Sequence, residues 1–257
     1  MTKRKEVSNT ALAHLDDVFA LDEIDDQNLP SVSDSGVPFI SFYHSQQGRA
    51  SDVADAIDGV ATIGMPWVSV DGTYYRADTA PWLMLGKPLY YWCTVTDDNE
   101  KEKVWLTPQP TFLGKKRNLV DGLKVQESVL AMALVLGVGP QAGVSVMVDI
   151  IKGTQSKAFK MHYDEVRNST KTEHAARYGA LVGELKPFQR VTSKFKVTEK
   201  PGSKFPYALI TARSGPISTQ EMEKLLAWGQ DADSQDQFAR VRSEFARRRA
   251  VIESLAE

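Results

Sequence analysis

The 257-residue chain has 31 Lys and Arg against 33 Asp and Glu, and it is 42% hydrophobic, 9% aromatic and 25% charged. That usage excludes collagen-like, coiled-coil and wholly disordered chains and gives core material for one large domain or two small ones. The single cysteine, Cys93, can form neither an intrachain disulfide nor a multi-cysteine zinc site, which suits a reducing cytoplasm, the host's if the protein is viral.

The start, MTKRKEVSNTALAHLDD, follows its basic residues with acid rather than an apolar core, so no signal peptide is expected. The most apolar run, residues 129–138, is too short to span a bilayer. Charge is segregated along the chain: the net is −7 over residues 1–60, −2 over 61–110, +9 over 111–213 and −2 over 214–257. A cationic surface built by the central segment follows from that split, with the acidic start of the chain as an internal competitor for it.

Residues 1–36 are poor in large apolar residues after Phe19 and Leu21 and read as a flexible acidic arm. The folded body begins at Val37, where PFISFY is an expected strand, and Ser51 caps a short helix, DVADAIDG, closed by Gly59. Asp71-Gly72 between WVSV and TYYR predicts a hairpin, because the pair accepts the positive φ angles of a tight primed turn. A second hairpin is expected from LYYWCTVT and KVWLTP.

Residues 119–136 fit a buried helix or a central strand; their length and their Ala, Met and Leu content favour the helix. Residues 144–151 alternate as a strand, KGTQS turns, and KAFKMHYDEV returns as another strand; residues 168–183 are loop or short helix. FQRVTSKFKVT and YALITAR form a third hairpin, in which Val191, Phe195 and Val197 share one face while Arg190, Thr192, Lys194 and Lys196 share the other. Two helices end the chain. Ser218 and Glu221 form a capping box ahead of EMEKLLAW, which Gly229 closes, and a longer helix from about Ser234 carries the stripe Phe238, Val241, Phe245, Ile252 and Leu255.

The P-loop, dinucleotide, zincin and hydrolase-elbow motifs are all missing, and Gly137-Val138-Gly139-Pro140 reads as a turn. No cofactor, metal site or catalytic residue is assigned. His162 with Asp164 and Glu165 would be the nuclease-like alternative, since strand alternation puts His162 and Asp164 on one side.

Nucleic-acid binding has broader support, because the central segment interleaves cations with rings. Lys115, Lys116, Arg117, Lys157, Lys160, Arg190, Lys194, Lys196 and Lys204 are the candidate phosphate contacts. Tyr91, Trp92, Trp105, Phe159, Tyr163, Phe205 and Tyr207 are the candidate stacking platforms. Phe195 reads as core by its alternation, whereas Phe159 and Tyr163 are open between core and surface.

The run of hairpins, KGTQSKAFK, and FKVTEKPGSKFPYALITA followed by acidic helices resemble phage or mobile-element single-stranded DNA-binding proteins with an oligonucleotide-binding barrel, over about residues 85–215. The resemblance implies an OB-like barrel that holds single strands during replication or recombination. Replication or recombination proteins and further copies of the chain, as a homo-oligomer, are the candidate protein partners. The acidic segment here lies at the N-terminus, while the last residues are of mixed charge.

The expected architecture is therefore α+β and β-rich: an acidic arm (1–36), a nucleic-acid-binding body built on an OB-like antiparallel barrel or twisted sheet (37–215), and C-terminal helices (216–257). The expected function is sequence-nonspecific binding of single-stranded DNA, with RNA as the less favoured ligand. A structural or adaptor protein using its C-terminal helices and acidic arm is the alternative from another class.

Overall fold

A computed structural model describes residues 37–42, 64–95, 103–108, 119–120, 123–150, 153–169, 187–199 and 208–254. The acidic arm, the helix expected after Ser51 and residues 170–183 of the expected loop lie outside them.

The organising element is β8 (Leu123–Leu136), antiparallel to strands on both of its edges. Along one edge run β5 (Leu89–Val95), with Tyr90 opposite Val129, and β4 (Trp82–Met84), with Trp82 opposite Val135. The two are successive pieces of one edge, and between them the Leu85 N–H still donates to the Met132 carbonyl at 3.0 Å. The other edge holds β7 (Leu119–Val120) and β9 (Gly143–Ile150). Beyond β5 lies β6 (Lys103–Pro108), and beyond β4 lies the hairpin of β10 (Val191–Glu199) and β11 (Ala208–Pro216). The order β11-β10-β4-β8-β5-β6 is open, so the described strands form a sheet and no closed barrel. A second sheet of β1 (Ile40–Phe42), β2 (Pro66–Val70) and β3 (Thr73–Arg76) is turned at Asp71-Gly72, with φ of 49° and 80°, as the sequence predicts.

Four helices are described: α1 (Gly153–Asn168), the single turn α2 (Pro187–Arg190), α3 (Thr219–Gln230) and α4 (Ala232–Ser254). On one face of β8, Leu130, Met132, Leu134 and Leu136 pack with Leu225, Trp228, Phe238, Val241, Phe245 and Ile252 of α3 and α4. On the other, Val129, Ala131, Ala133 and Val135 pack with Trp82, Phe159 of α1, Phe195 of β10, and Ile40 and Val68 of the small sheet.

This two-sided burial corrects the helix expected over residues 119–136. A strand sealed on both faces needs apolar residues at odd and even positions alike, which erases the alternation that marks a strand. Size still differs between the faces: leucines meet the helices, whereas small Ala and Val leave room for the aromatic rings opposite.

The return strand expected at KAFKMHYDEV is also corrected, because it is the body of α1. Ala158, Phe159, His162 and Val166 recur at helical spacing and are the buried residues of that stretch, while Lys157, Lys160, Met161, Asp164 and Glu165 are exposed. The capping box of α3 is present: the Ser218 N–H donates to Glu221 Oε2 at 2.7 Å and the Glu221 N–H to Ser218 Oγ at 3.3 Å. In α4, buried Glu244 is gripped by Arg247 at 2.7 Å and Arg248 at 2.6 Å, which hold its carboxyl below the usual range. No helix among the described residues is long and apolar enough to cross a membrane.

Candidate nucleic-acid interface

The β10–β11 hairpin has two faces of opposite character, set by strand alternation. Inward point Ser193 with Ser214 and Phe195 with Ala212, against α1. There Trp82 is the hub of a packed aromatic cluster. Its ring lies 5.2 Å from Phe195 in a stacked arrangement, 4.8 Å from Phe159 and 4.1 Å from the His162 imidazole. Three elements, β4, α1 and β10, are thereby tied at one point.

His162 Nδ1 lies 3.2 Å from Ser214 Oγ, and Ser214 Oγ donates onward to Ser193 Oγ at 3.4 Å. Burial pushes the imidazole pKa down to about 3.

The outward face carries Lys194 on β10 directly opposite Arg213 on β11, and both are exposed. Neither forms an ion pair with any described residue. Beside them Thr192 Oγ1 donates to Glu221 Oε2 at 3.1 Å, and opposite Thr192 stands Gly215, where a Cβ would meet nothing within 4 Å.

The structure sorts the sequence-expected contacts into several groups. Lys157 and Lys160 on α1 and Lys194 on β10 are exposed cations free of ion pairs with described residues. They do not share a surface: α1 covers the inward face of the hairpin, whereas Lys194 projects from the other side. Arg190 is a correction. Instead of extending the strand it ends α2, where Pro187 starts a helical turn, and it is buried, its carbonyl accepting from the Ile217 N–H at 2.8 Å. Loss of surrounding water lowers its pKa from the ordinary guanidinium value.

Tyr91 and Phe159 are corrections too, since neither has exposed ring surface and a base cannot reach them. Tyr163 is half-buried against the aromatic cluster, and Phe195 is core, as its alternation indicates. Trp92, Trp105 and Lys196 lie on β5, β6 and β10, of which only the backbone is described at those positions. Lys115, Lys116, Arg117, Lys204, Phe205 and Tyr207 fall outside the described residues.

Arg213 is absent from the sequence-derived set. Only the hairpin register, which pairs it with Lys194, marks it out.

The nuclease-like cluster does not form. On a helix, His162 turns into the core while Asp164 and Glu165 face outward, and no group of three metal-ligating side chains occurs among the described residues. The stripe that motivated an adaptor role is consumed internally, because Phe238, Val241, Phe245 and Ile252 are buried against the sheet; Leu255 lies outside the described residues. Compared with protein-family models, with curated proteins and with solved structures, the chain matches none.

Proposed function

We propose that this protein binds single-stranded DNA without sequence preference, in replication or recombination of a phage or mobile element, and acts as a binding protein rather than an enzyme. The observation that carries the reading is the concentration of uncompensated cations in residues 111–213, which hold 17 basic against 8 acidic side chains. In the described part of that segment, Lys157, Lys160, Lys194 and Arg213 are exposed and free of ion pairs with described residues. Exposed cations held apart from the chain's own carboxylates remain available to an external polyanion. Tyr91 and Phe159 take no part, so base stacking falls to Trp92, Trp105, Phe205 and Tyr207, with the exposed edge of Tyr163 as a further contact.

The test is a fluorescence-anisotropy titration of labelled oligo-dT at two ionic strengths. Binding should weaken with salt, log K falling by about 0.7 per phosphate neutralised for each tenfold rise in salt. Absence of binding at low ionic strength would remove the reading.

A further inference from the structure

We infer that Lys194 and Arg213 form a two-cation clamp for one phosphate group of the bound strand, an inference that rests on the function proposed above. Residues directly opposite on an antiparallel pair have Cβ atoms about 5 Å apart, and like charges there repel. Two cations in that position are a cost to the hairpin unless an anion sits between them, and the spacing suits the oxygens of a single phosphate.

No described residue forms an ion pair with either cation. Glu221, which hydrogen-bonds Thr192 on this face, has its Oε2 already shared between the Ser218 N–H and the Thr192 hydroxyl. Space for a ligand exists alongside, since Gly215 presents no side chain and a Cβ there would touch nothing within 4 Å.

A cation on an outermost strand also blocks unwanted strand pairing, and Arg213 on β11 fits that role. Lys194 fits it less well, because its strand is paired with β11 on one side and bridged to β4 at the adjacent Ser193 on the other. Protection of the edge therefore accounts for Arg213 better than for Lys194, and anion capture accounts for both. A phosphate held here would be gripped by a planar guanidinium on one side and a flexible ammonium on the other, a combination that fixes orientation and tolerates variation in backbone path.

The experiment compares wild type with Lys194→Gln and Arg213→Gln in two arms. In the first, oligo-dT affinity is measured across a salt series. Each variant should bind several-fold more weakly at low salt, with a slope shallower by about 0.7; unchanged affinity and slope in both variants would overturn the clamp while leaving the proposed function standing.

In the second arm, pyrophosphate is added and the thermal midpoint is followed. Wild type should rise and each variant should not. Without ligand, the variants should melt at or above the wild-type midpoint, because a repulsion has been relieved, so a binding defect is not a folding defect. If wild type binds no oligo-dT, the proposed function fails and the clamp for a bound strand fails with it; a pyrophosphate shift lost in the variants would then leave only a phosphate site at this pair, and no shift in wild type would remove that as well.

Discussion

His162 shows how one side chain takes its chemistry from its place in the fold. In an exposed strand beside two carboxylates it would titrate near its ordinary value and could serve as a base. On α1 it is sealed against Trp82, and desolvation brings its pKa from 6.5 to about 3. Between those values the unfolded chain binds a proton that the folded chain refuses, so stability falls as pH falls through that window and is indifferent to this group above it. The loss should be on the order of 3 kcal/mol by pH 4. Thermal midpoints from pH 7 to pH 4 should drop less steeply in His162→Asn, which can still hydrogen-bond Ser214 but cannot titrate. Parallel curves for the two proteins would show that another group sets the acid limb. The same aromatic cluster explains why Phe159 cannot be a stacking platform: its ring is shared between Trp82 and Phe195 and has no open side.

Among the elements, those with local punctuation were legible and those defined by distant partners were not. Asp71-Gly72 specifies its hairpin through two positive φ angles, and Ser218 with Glu221 specifies the start of α3, both within a few residues. The capping box does more than its sequence discloses, because Glu221 also receives the Thr192 hydroxyl and so fastens α3 to β10. Replacing Ser218 with Ala should therefore cost about 1 kcal/mol, at the middle of the range for a lost cap. Glu221→Ala should cost more, since it frees Thr192 as well as the cap. Chemical-denaturation midpoints measure both, and equal effects would mean that the Thr192 bond contributes nothing. α1 was not legible because KGTQS, whose residues 153–156 are its first turn rather than the expected hairpin turn, reads as a break before a returning strand, although the buried positions 158, 159, 162 and 166 sit at helical spacing.

For the molecule as a whole, the decisive fact is that the large sheet is covered on both sides. Helices α3 and α4 supply one layer, while α1 and the small sheet supply the other, so the wide central face where a strand of nucleic acid would lie is occupied by the protein itself. The proposed interface would then use the outer surface, where the outward face of the β10–β11 hairpin carries Lys194 and Arg213 and α1 carries Lys157 and Lys160, all exposed and free of ion pairs with described residues. The covering also fixes what the C-terminal helices are for. A chain ending at Ser218 exposes Leu130, Leu134 and Leu136 to water and should lose its cooperative thermal transition and aggregate. A truncated protein that stays soluble and melts like the full chain would return the helices to a partner-binding role.

By itself the sequence determined what depends on neighbours within a turn of chain: the Asp71-Gly72 turn, the cap, which strands join as hairpins, the α+β content and the concentration of positive charge in the middle of the chain. Only tertiary structure decided that β8 is a strand, that α1 is a helix, that Arg190, Tyr91 and Phe159 are buried, and that Arg213 joins Lys194. The physical reason is common to all of them. Burial on two faces, or pairing with a residue some twenty positions away, is a property of what packs against a segment, and composition within the segment does not encode which surface that will be.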